Sequence, residues 1–230
     1  MIILAIEQST SVGSIAVLDG ASVMVERNWM KNGNSMYKSP FSILSDLCRK
    51  ASVELSDIDI FAVGLGPGSF TGLRMSLAAA NAFALPGKKP VLGISSGKAL
   101  AYDIFQETAS TSVTIVGDAR RGRLWFAQFK KKDELPQMTT SYSVIKFGEF
   151  PFIHNNESIV ATSDWSRIGE KLKQLISRKA TLIQEPRMPR AQTVGKLALR
   201  NYKTQQTQNT APAPIYLHPP VAEKKTTDGK

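Results

Sequence analysis

The first 51 residues contain short apolar segments that predict three strands, followed by a segment with helical spacing of its apolar residues. "IILAI" at Ile2–Ile6 is fully apolar, and "GSIAVLD" and "SVMVERN" follow it, separated by Gly20 and Ala21. Small residues between two such segments are typical of a β-hairpin. In "SPFSILSDLCRKA" the apolar residues instead recur at helical spacing, with Ser39 placed to cap a helix that starts at Pro40.

A glycine-rich stretch links the next strand to the next helix. "DIFAVGLG" is strand-like, "GLGPGSFTGLR" at Gly64–Arg74 follows it, and a helix is expected from about Thr71 to Leu85. "PVLGISS" then predicts a strand and "GKALAYDIFQE" a helix. The predicted order is β-β-β-α-β-α with a β-α extension.

The second half of the chain repeats this order in weaker form. "SVTIVGDARRG", "RLWFAQFKK" and "QMTTSYSVI" predict three strands, "SIVATSD" and "ATLIQE" two more, and "WSRIGEKLKQLI" and "RAQTVGKLALRNYK" two helices. We expect a duplicated α/β fold with a cleft between its halves. The predicted division is 1–108, 109–203 and an extended, Pro-rich tail at 204–230 whose end is disordered.

The glycine-rich stretch matches no standard phosphate or nucleophile motif. No Lys-Ser/Thr pair follows its glycines, the spacing differs from G-x-G-x-x-G, and Phe70 and Thr71 follow Ser69 where a nucleophile elbow requires glycine at the second place. Its backbone amides at a helix start could still bind an anion. The alternative is that the glycines only allow tight turns and close packing of the helix on the sheet.

Two acidic residues at predicted strand ends are the candidates for a magnesium-nucleotide site in the cleft. Glu7 ends the first strand, and Asp118 ends the first strand of the second half. Either residue could equally be a cap or a turn residue. An ATP-binding phosphotransferase or ATPase is therefore the alternative function, and its candidate anion- or nucleotide-binding residues are Glu7, Ser9, Gly66, Gly68, Ser69 and Asp118.

Few residues are available for metal or covalent chemistry. The two histidines, His154 and His218, stand far apart, and no Cys-x-x-Cys or His-Glu-x-x-His spacing exists, so no metal site is expected. Nothing in these residues supports a Ser-His triad or peptidase chemistry. Cys48 is the single cysteine, and the N-terminus has no basic region before its apolar segment, so we expect a cytoplasmic protein without a membrane span.

The positive charge is concentrated in the second half. The formal net charge is +10, and residues 111–230 carry 20 lysines and arginines against 10 acidic residues. Such asymmetry favours an acidic partner, of which nucleic acid is the usual one, although a merely solvated basic face has the same composition. No aromatic-plus-basic RNA motif accompanies the charge.

The helix after the glycines is too apolar for open water. From Leu73 to Leu85 its only polar residues are Arg74, Ser76 and Asn81. One face must cover the sheet, and the alanines elsewhere would let another backbone approach closely. This pattern predicts an interface.

Five segments together resemble the bacterial TsaB (YeaZ) family: "ILAIEQSTSVGSIAVLDG", "VGLGPGSFTGLRMSLAAANAFAL", "VLGISSGKALA", "DARRGRLWFAQF" and "PIYLHPPVAEK". The resemblance covers almost the whole chain. It implies the actin-like fold, also called Hsp70-like ATPase or RNase H-like. It also implies a non-catalytic partner that assists TsaD, with TsaE, in adding a threonylcarbamoyl group to the adenosine beside the anticodon of ANN-decoding tRNAs.

The resemblance further implies how the protein assembles. Family members dock on TsaD, or on a second copy when alone, through two helices that correspond to Ser39–Ala51 and Thr71–Leu85. tRNA is the substrate of the complex, and TsaD carries the metal and the chemistry. No resident cofactor is implied, while ATP or ADP with Mg²⁺ at an interface of the complex stays open. The expected docking residues are Met36, Tyr37, Phe41, Leu44, Ser45, Arg74, Leu77, Ala78 and Asn81.

The chain departs from the family pattern in three places. Glu7 replaces the usual aspartate of "DTST", Asn34-Ser35-Met36 stands where relatives often have His-Ser-Glu, and Arg123 replaces a commoner acid. The first change weakens an inherited nucleotide role, and the second alters the expected docking face.

Overall fold

Two five-stranded mixed sheets form the framework of the computed structural model, which describes residues 1–30, 40–150, 158–176, 180–204 and 211–217. The first sheet has the order β3-β2-β1-β4-β5. Strands β1, β2 and β3 are antiparallel neighbours, whereas β1, β4 and β5 run parallel. Its strands are β1 (Ile2–Glu7), β2 (Val12–Asp19), β3 (Ser22–Met30), β4 (Ile58–Gly64) and β5 (Val91–Ile94).

The second sheet repeats this connectivity with the order β10-β9-β6-β7-β8. Its strands are β6 (Ser112–Arg120), β7 (Arg123–Lys132), β8 (Leu135–Lys146), β9 (Ile159–Thr162) and β10 (Thr181–Leu182). Again three antiparallel strands are extended by two parallel ones. The repeat confirms the predicted actin-like α/β fold with two tandem halves.

Five helices accompany the sheets in the described residues: α1 (Pro40–Ala51), α2 (Phe70–Ala84), α3 (Ser96–Glu107), α4 (Trp165–Leu175) and α5 (Ala191–Lys203). Helix α2 begins at Phe70, one residue before the predicted start, because the Ser69 hydroxyl accepts a hydrogen bond from the Gly72 amide and caps the helix. The predicted cap of α1, Ser39, lies outside the described residues. None of the helices in the described ranges has both the length and the apolarity needed to cross a bilayer.

Helices cover both faces of the first sheet. Residues of α1 and α2, such as Leu47 and Ala80, pack with Phe61 on one face. Helix α5 covers the opposite face with Val194 and Leu197, although it comes from the end of the second half. The first half is thus completed by residues from the far end of the chain, and the division at residue 108 remains a prediction.

Part of the tail is ordered against the body of the protein. In the described segment 211–217 the Ile215 amide donates to the Leu65 carbonyl (2.8 Å). A side chain at Gly93 would collide with Pro212, so this segment crosses β5 closely. The predicted disordered end falls within residues 218–230, outside the described residues.

Candidate docking site

The glycine-rich loop is held by backbone hydrogen bonds to Ser9, just after β1, and to Ile94 at the end of β5. The Ser69 amide donates to the Ser9 carbonyl (2.7 Å), and the Leu65 amide donates to the Ile94 carbonyl (2.8 Å). A Cβ atom at Gly68 would collide with the Ser9 carbonyl oxygen. The loop therefore requires glycine because two chain segments approach each other closely. This agrees with the alternative that the glycines serve tight turns and close packing.

The Glu7 carboxylate joins this loop to the start of α3. It is fully buried; its Oε1 accepts from the Ser9 amide (2.6 Å) and its Oε2 from the Ser96 hydroxyl (2.7 Å). The Ser96 hydroxyl in turn accepts from the Gly66 amide (2.9 Å). A side chain at Gly64 would collide with Glu7 Oε2. Glu7 thus stabilises the loop from within the protein.

Asp118 is engaged in ion pairs in the second half. Its Oδ2 lies 3.1 Å from Arg167 Nε and 3.4 Å from Arg120 Nη1, and its Oδ1 accepts from the Arg120 amide (2.8 Å). The Asp118 amide donates to Asp164 Oδ2 (2.8 Å). These contacts bind β6 to the N-terminus of α4.

Tyr142 of β8 in the second half contacts the start of α3. Its hydroxyl lies 2.5 Å from the Ser95 hydroxyl, and the ring leaves no room for a side chain at Gly97. Burial raises the pKa of Tyr142 to about 12, so the phenol is neutral at physiological pH.

The residues proposed for nucleotide binding do not fit a magnesium-nucleotide site within this chain. Glu7 and Asp118 are both committed to protein donors, and the described residues contain no group of three or more His, Cys, Asp or Glu side chains arranged for a metal. Of the same set, Ser9 has a buried hydroxyl without a hydrogen-bond partner among the described residues. A single free hydroxyl cannot replace the charged ligands that a magnesium-nucleotide requires.

The outer face of α2 carries the predicted docking residues. Arg74, Ala78 and Asn81 are exposed and Leu77 is half-buried, so the four predicted residues share one accessible surface along the helix. At its end Leu85 is 76% exposed. The Asn81 side-chain amide donates to the Leu77 carbonyl (2.8 Å) of its own helix. This "α2 face", made of Arg74, Leu77, Ala78, Asn81 and Leu85, is apolar except at Arg74 and Asn81.

The predicted residues around α1 are divided between core and surface. Ser45 is exposed, but Leu44 is buried in the core of the first half, so Leu44 supports α1 rather than facing a partner. Met36 and Tyr37 lie outside the described residues, as does the side chain of Phe41.

An aromatic cluster beside the α2 face was not foreseen from the sequence. The Arg74 guanidinium lies 3.7 Å from the centre of the Phe70 ring, and its Nε donates to the Tyr216 hydroxyl (2.8 Å). The two rings are 5.4 Å apart, and both are about half exposed. Tyr216 stands 142 residues after Arg74 in the chain, so spacing alone could not have paired them. Partly exposed aromatic and arginine side chains are typical of interface hot spots.

Known proteins resemble the chain over most of its length. The family model described as TsaD, tRNA N6-adenosine threonylcarbamoyltransferase, matches residues 41–225. The tRNA threonylcarbamoyladenosine biosynthesis protein TsaB of Escherichia coli (strain K12) is 25% identical over 236 aligned positions, covering 98% of each chain. The TsaB protein of Bacillus subtilis (strain 168) is 32% identical over 138 residues, 59% of this chain and 58% of its own.

Among solved structures, YeaZ from Pseudomonas aeruginosa superposes with a TM-score of 0.79. The superposition covers 94% of this chain and 99% of the other, at 22% identity. At that level of identity the likeness establishes a shared fold.

Proposed function

The chain belongs to the TsaD family and, within it, to the TsaB (YeaZ) group, and we propose on this premise that it is an accessory subunit in tRNA modification. Its part in threonylcarbamoyladenosine biosynthesis follows from the group. The finer proposal is that it is a non-catalytic cytoplasmic activator of a TsaD acyltransferase acting on ANN-decoding tRNAs, together with TsaE.

The α2 face is the observation that carries this proposal. Arg74, Ala78 and Asn81 lie exposed on a helix whose other side is buried against β4, and Leu85 extends the apolar surface. Alanines leave the helix backbone accessible to a partner helix at short distance. Burying such a surface removes apolar area from water, and one N–H of the Asn81 side-chain amide is already bonded within its helix.

The engaged acidic residues support an accessory role rather than a catalytic one. A catalytic carboxylate must reach substrate or metal, but Glu7 is fully buried and bonded to Ser9 and Ser96. Asp118 is held by Arg120 and Arg167. In the proposal the acyl transfer takes place on TsaD, and this chain contributes binding energy at the interface.

The same surface explains the proposed homodimer. An exposed apolar helix face in an isolated subunit is available to a second copy through a two-fold axis. TsaD would displace that copy because both partners use the α2 face. Self-association and TsaD binding are therefore expected to compete.

Substitutions on the α2 face test the proposal. Ala78→Glu and Asn81→Arg place a charge where a partner would bury it, so the affinity for TsaD should fall about tenfold or more, as measured by titration calorimetry. Ala109→Glu, at an exposed alanine after α3, introduces the same charge away from the α2 face and should bind like the wild type. Wild-type affinity in both α2 variants would contradict docking through this helix.

A further inference from the structure

The cations of the second half cluster at one end of the second sheet. The turn between β6 and β7 contains Arg120, Arg121 and Arg123, all exposed. In the strand register Arg120 lies opposite Arg123 across the hairpin, and Arg123 lies opposite Lys146 of β8. Because neighbouring strands lie about 4.8 Å apart, these cations occupy a strip roughly 10 Å wide. We call Arg120, Arg121, Arg123, Lys146 and Lys171 the basic end.

Lys171 reaches the basic end from α4. Its Nζ lies 4.9 Å from the centre of the Phe147 ring, and the Phe147 amide donates to the Gly122 carbonyl (3.2 Å) in the turn. The helix and the hairpin thus present their cations on one surface.

The carboxylates nearby neutralise this cluster only in part. Asp118 and Asp164 are largely buried and are engaged by Arg167, and Asp118 also pairs with Arg120. Glu149 lies 4.0 Å from Lys146, at the limit of an ion pair. Within the described parts of the chain, Arg121 and Arg123 form no ion pair. Their charges are therefore available to a partner.

The arginines of this turn occupy energetically unfavourable positions. Arg120 and Arg121 have φ values of 64° and 51°, in the left-handed region, where glycine, asparagine and aspartate are the usual residues of a tight hairpin. Arg123 and Lys146 add two like charges directly opposite each other, which destabilises a strand pair. A bound polyanion would offset this repulsion.

We infer that the basic end binds the phosphate backbone of RNA, and that the chain itself contacts the tRNA through it. That the RNA is a tRNA rests on the proposed function. That the ligand is a polyanion rests only on the charges of the basic end. Guanidinium groups bind phosphate oxygens in a bidentate manner. The large apolar side chains that are exposed in the described residues lie outside this turn, which argues against insertion into a membrane. The contact is with the backbone, with little sequence preference.

A matched pair of double variants tests this inference. R121S/R123S removes two cations from the basic end, and K130S/K132S removes two exposed cations at the opposite end of β7, roughly 23 Å away. The probe is an unmodified transcript of an ANN-decoding tRNA, and its affinity for the full chain is measured by fluorescence anisotropy at several salt concentrations.

The basic-end variant should bind about tenfold more weakly at low salt, with the slope of log affinity against log salt reduced by about one to two. The K130S/K132S control should stay close to the wild type, and R121K/R123K should restore most of the affinity. Thermal unfolding of each variant verifies that the fold is kept.

Equal losses in the two double variants would overturn the inference, because the binding would then depend on net charge alone. Tighter binding of the wild type to phosphatidylserine vesicles than to tRNA would overturn RNA as the occupant. The assay contains no TsaD, so its result is independent of the docking experiment. A chain that binds tRNA at the basic end but fails to bind TsaD would refute the proposed function and leave this inference standing.

Discussion

At the scale of single residues, Glu7 shows how one side chain fits either of two roles until its partners are known. Its place at the end of β1 suggested a magnesium ligand, and only the folded chain shows Ser96, 89 residues later, donating to its Oε2. The need for glycine in the loop was predictable, because close approach is what glycine permits. The specific neighbours of Gly64 and Gly68 were not predictable, since they come from distant segments.

The contact between Gly64 and Glu7 yields a stability prediction. Gly64→Ala should lower the free energy of unfolding by about 2 kcal/mol, because the new methyl group collides with the fixed Glu7 carboxylate. Gly148→Ala is the control, since a Cβ atom there has no neighbour within 4 Å. Urea denaturation of both variants measures the difference. If Gly64→Ala were as stable as Gly148→Ala, the carboxylate would not be held in the place described.

At the scale of secondary structure, the elements with strong periodicity were predicted well. Helix α2 starts one residue before the expected range because Ser69 is its N-cap, and it ends one residue before it, at Ala84, with Leu85 as the C-cap. The strand expected from "ATLIQE" has only the two residues of β10, since its length is set by pairing with β9 rather than by local sequence.

The contacts of the tail could not be predicted from its sequence. Its composition predicted an extended chain but not the contacts of Ile215 and Tyr216 with the first half.

Two truncations test the role of the ordered tail. A chain ending at residue 210 loses the Ile215 hydrogen bond, the Tyr216 contact with Arg74 and the packing of Leu217 on the core of the second half. Its free energy of unfolding should fall by about 3 kcal/mol. A chain ending at Leu217 keeps these contacts and should match the full-length protein. Identical denaturation curves for the two truncations would show that residues 211–217 do not stabilise the fold.

At the scale of the whole molecule, the duplication could be seen in the sequence, but the completion of the first half by α5 could not. Helix α5 follows the second sheet in the chain and packs on the first, with Val194 and Leu197 in its core. The core of the first half is therefore built from residues at both ends of the chain. The concentration of charge in residues 111–230 was visible at once, whereas the meeting of Arg123 and Lys146 required the strand register.

At the level of the assembly, the central proposal is that the chain activates an acyltransferase without catalysing the transfer. The direct measurement is the yield of threonylcarbamoyladenosine in an ANN-decoding tRNA, determined by mass spectrometry of the nucleosides. The reaction contains TsaD, TsaE, ATP and the enzyme that forms the acyl donor, and it is run with and without this chain.

The modified nucleoside should accumulate with the wild type and with Ala109→Glu, and should stay near background with Ala78→Glu or with no added chain. Equal yields with and without the chain would contradict the account, as would product formed by the chain when TsaD is left out.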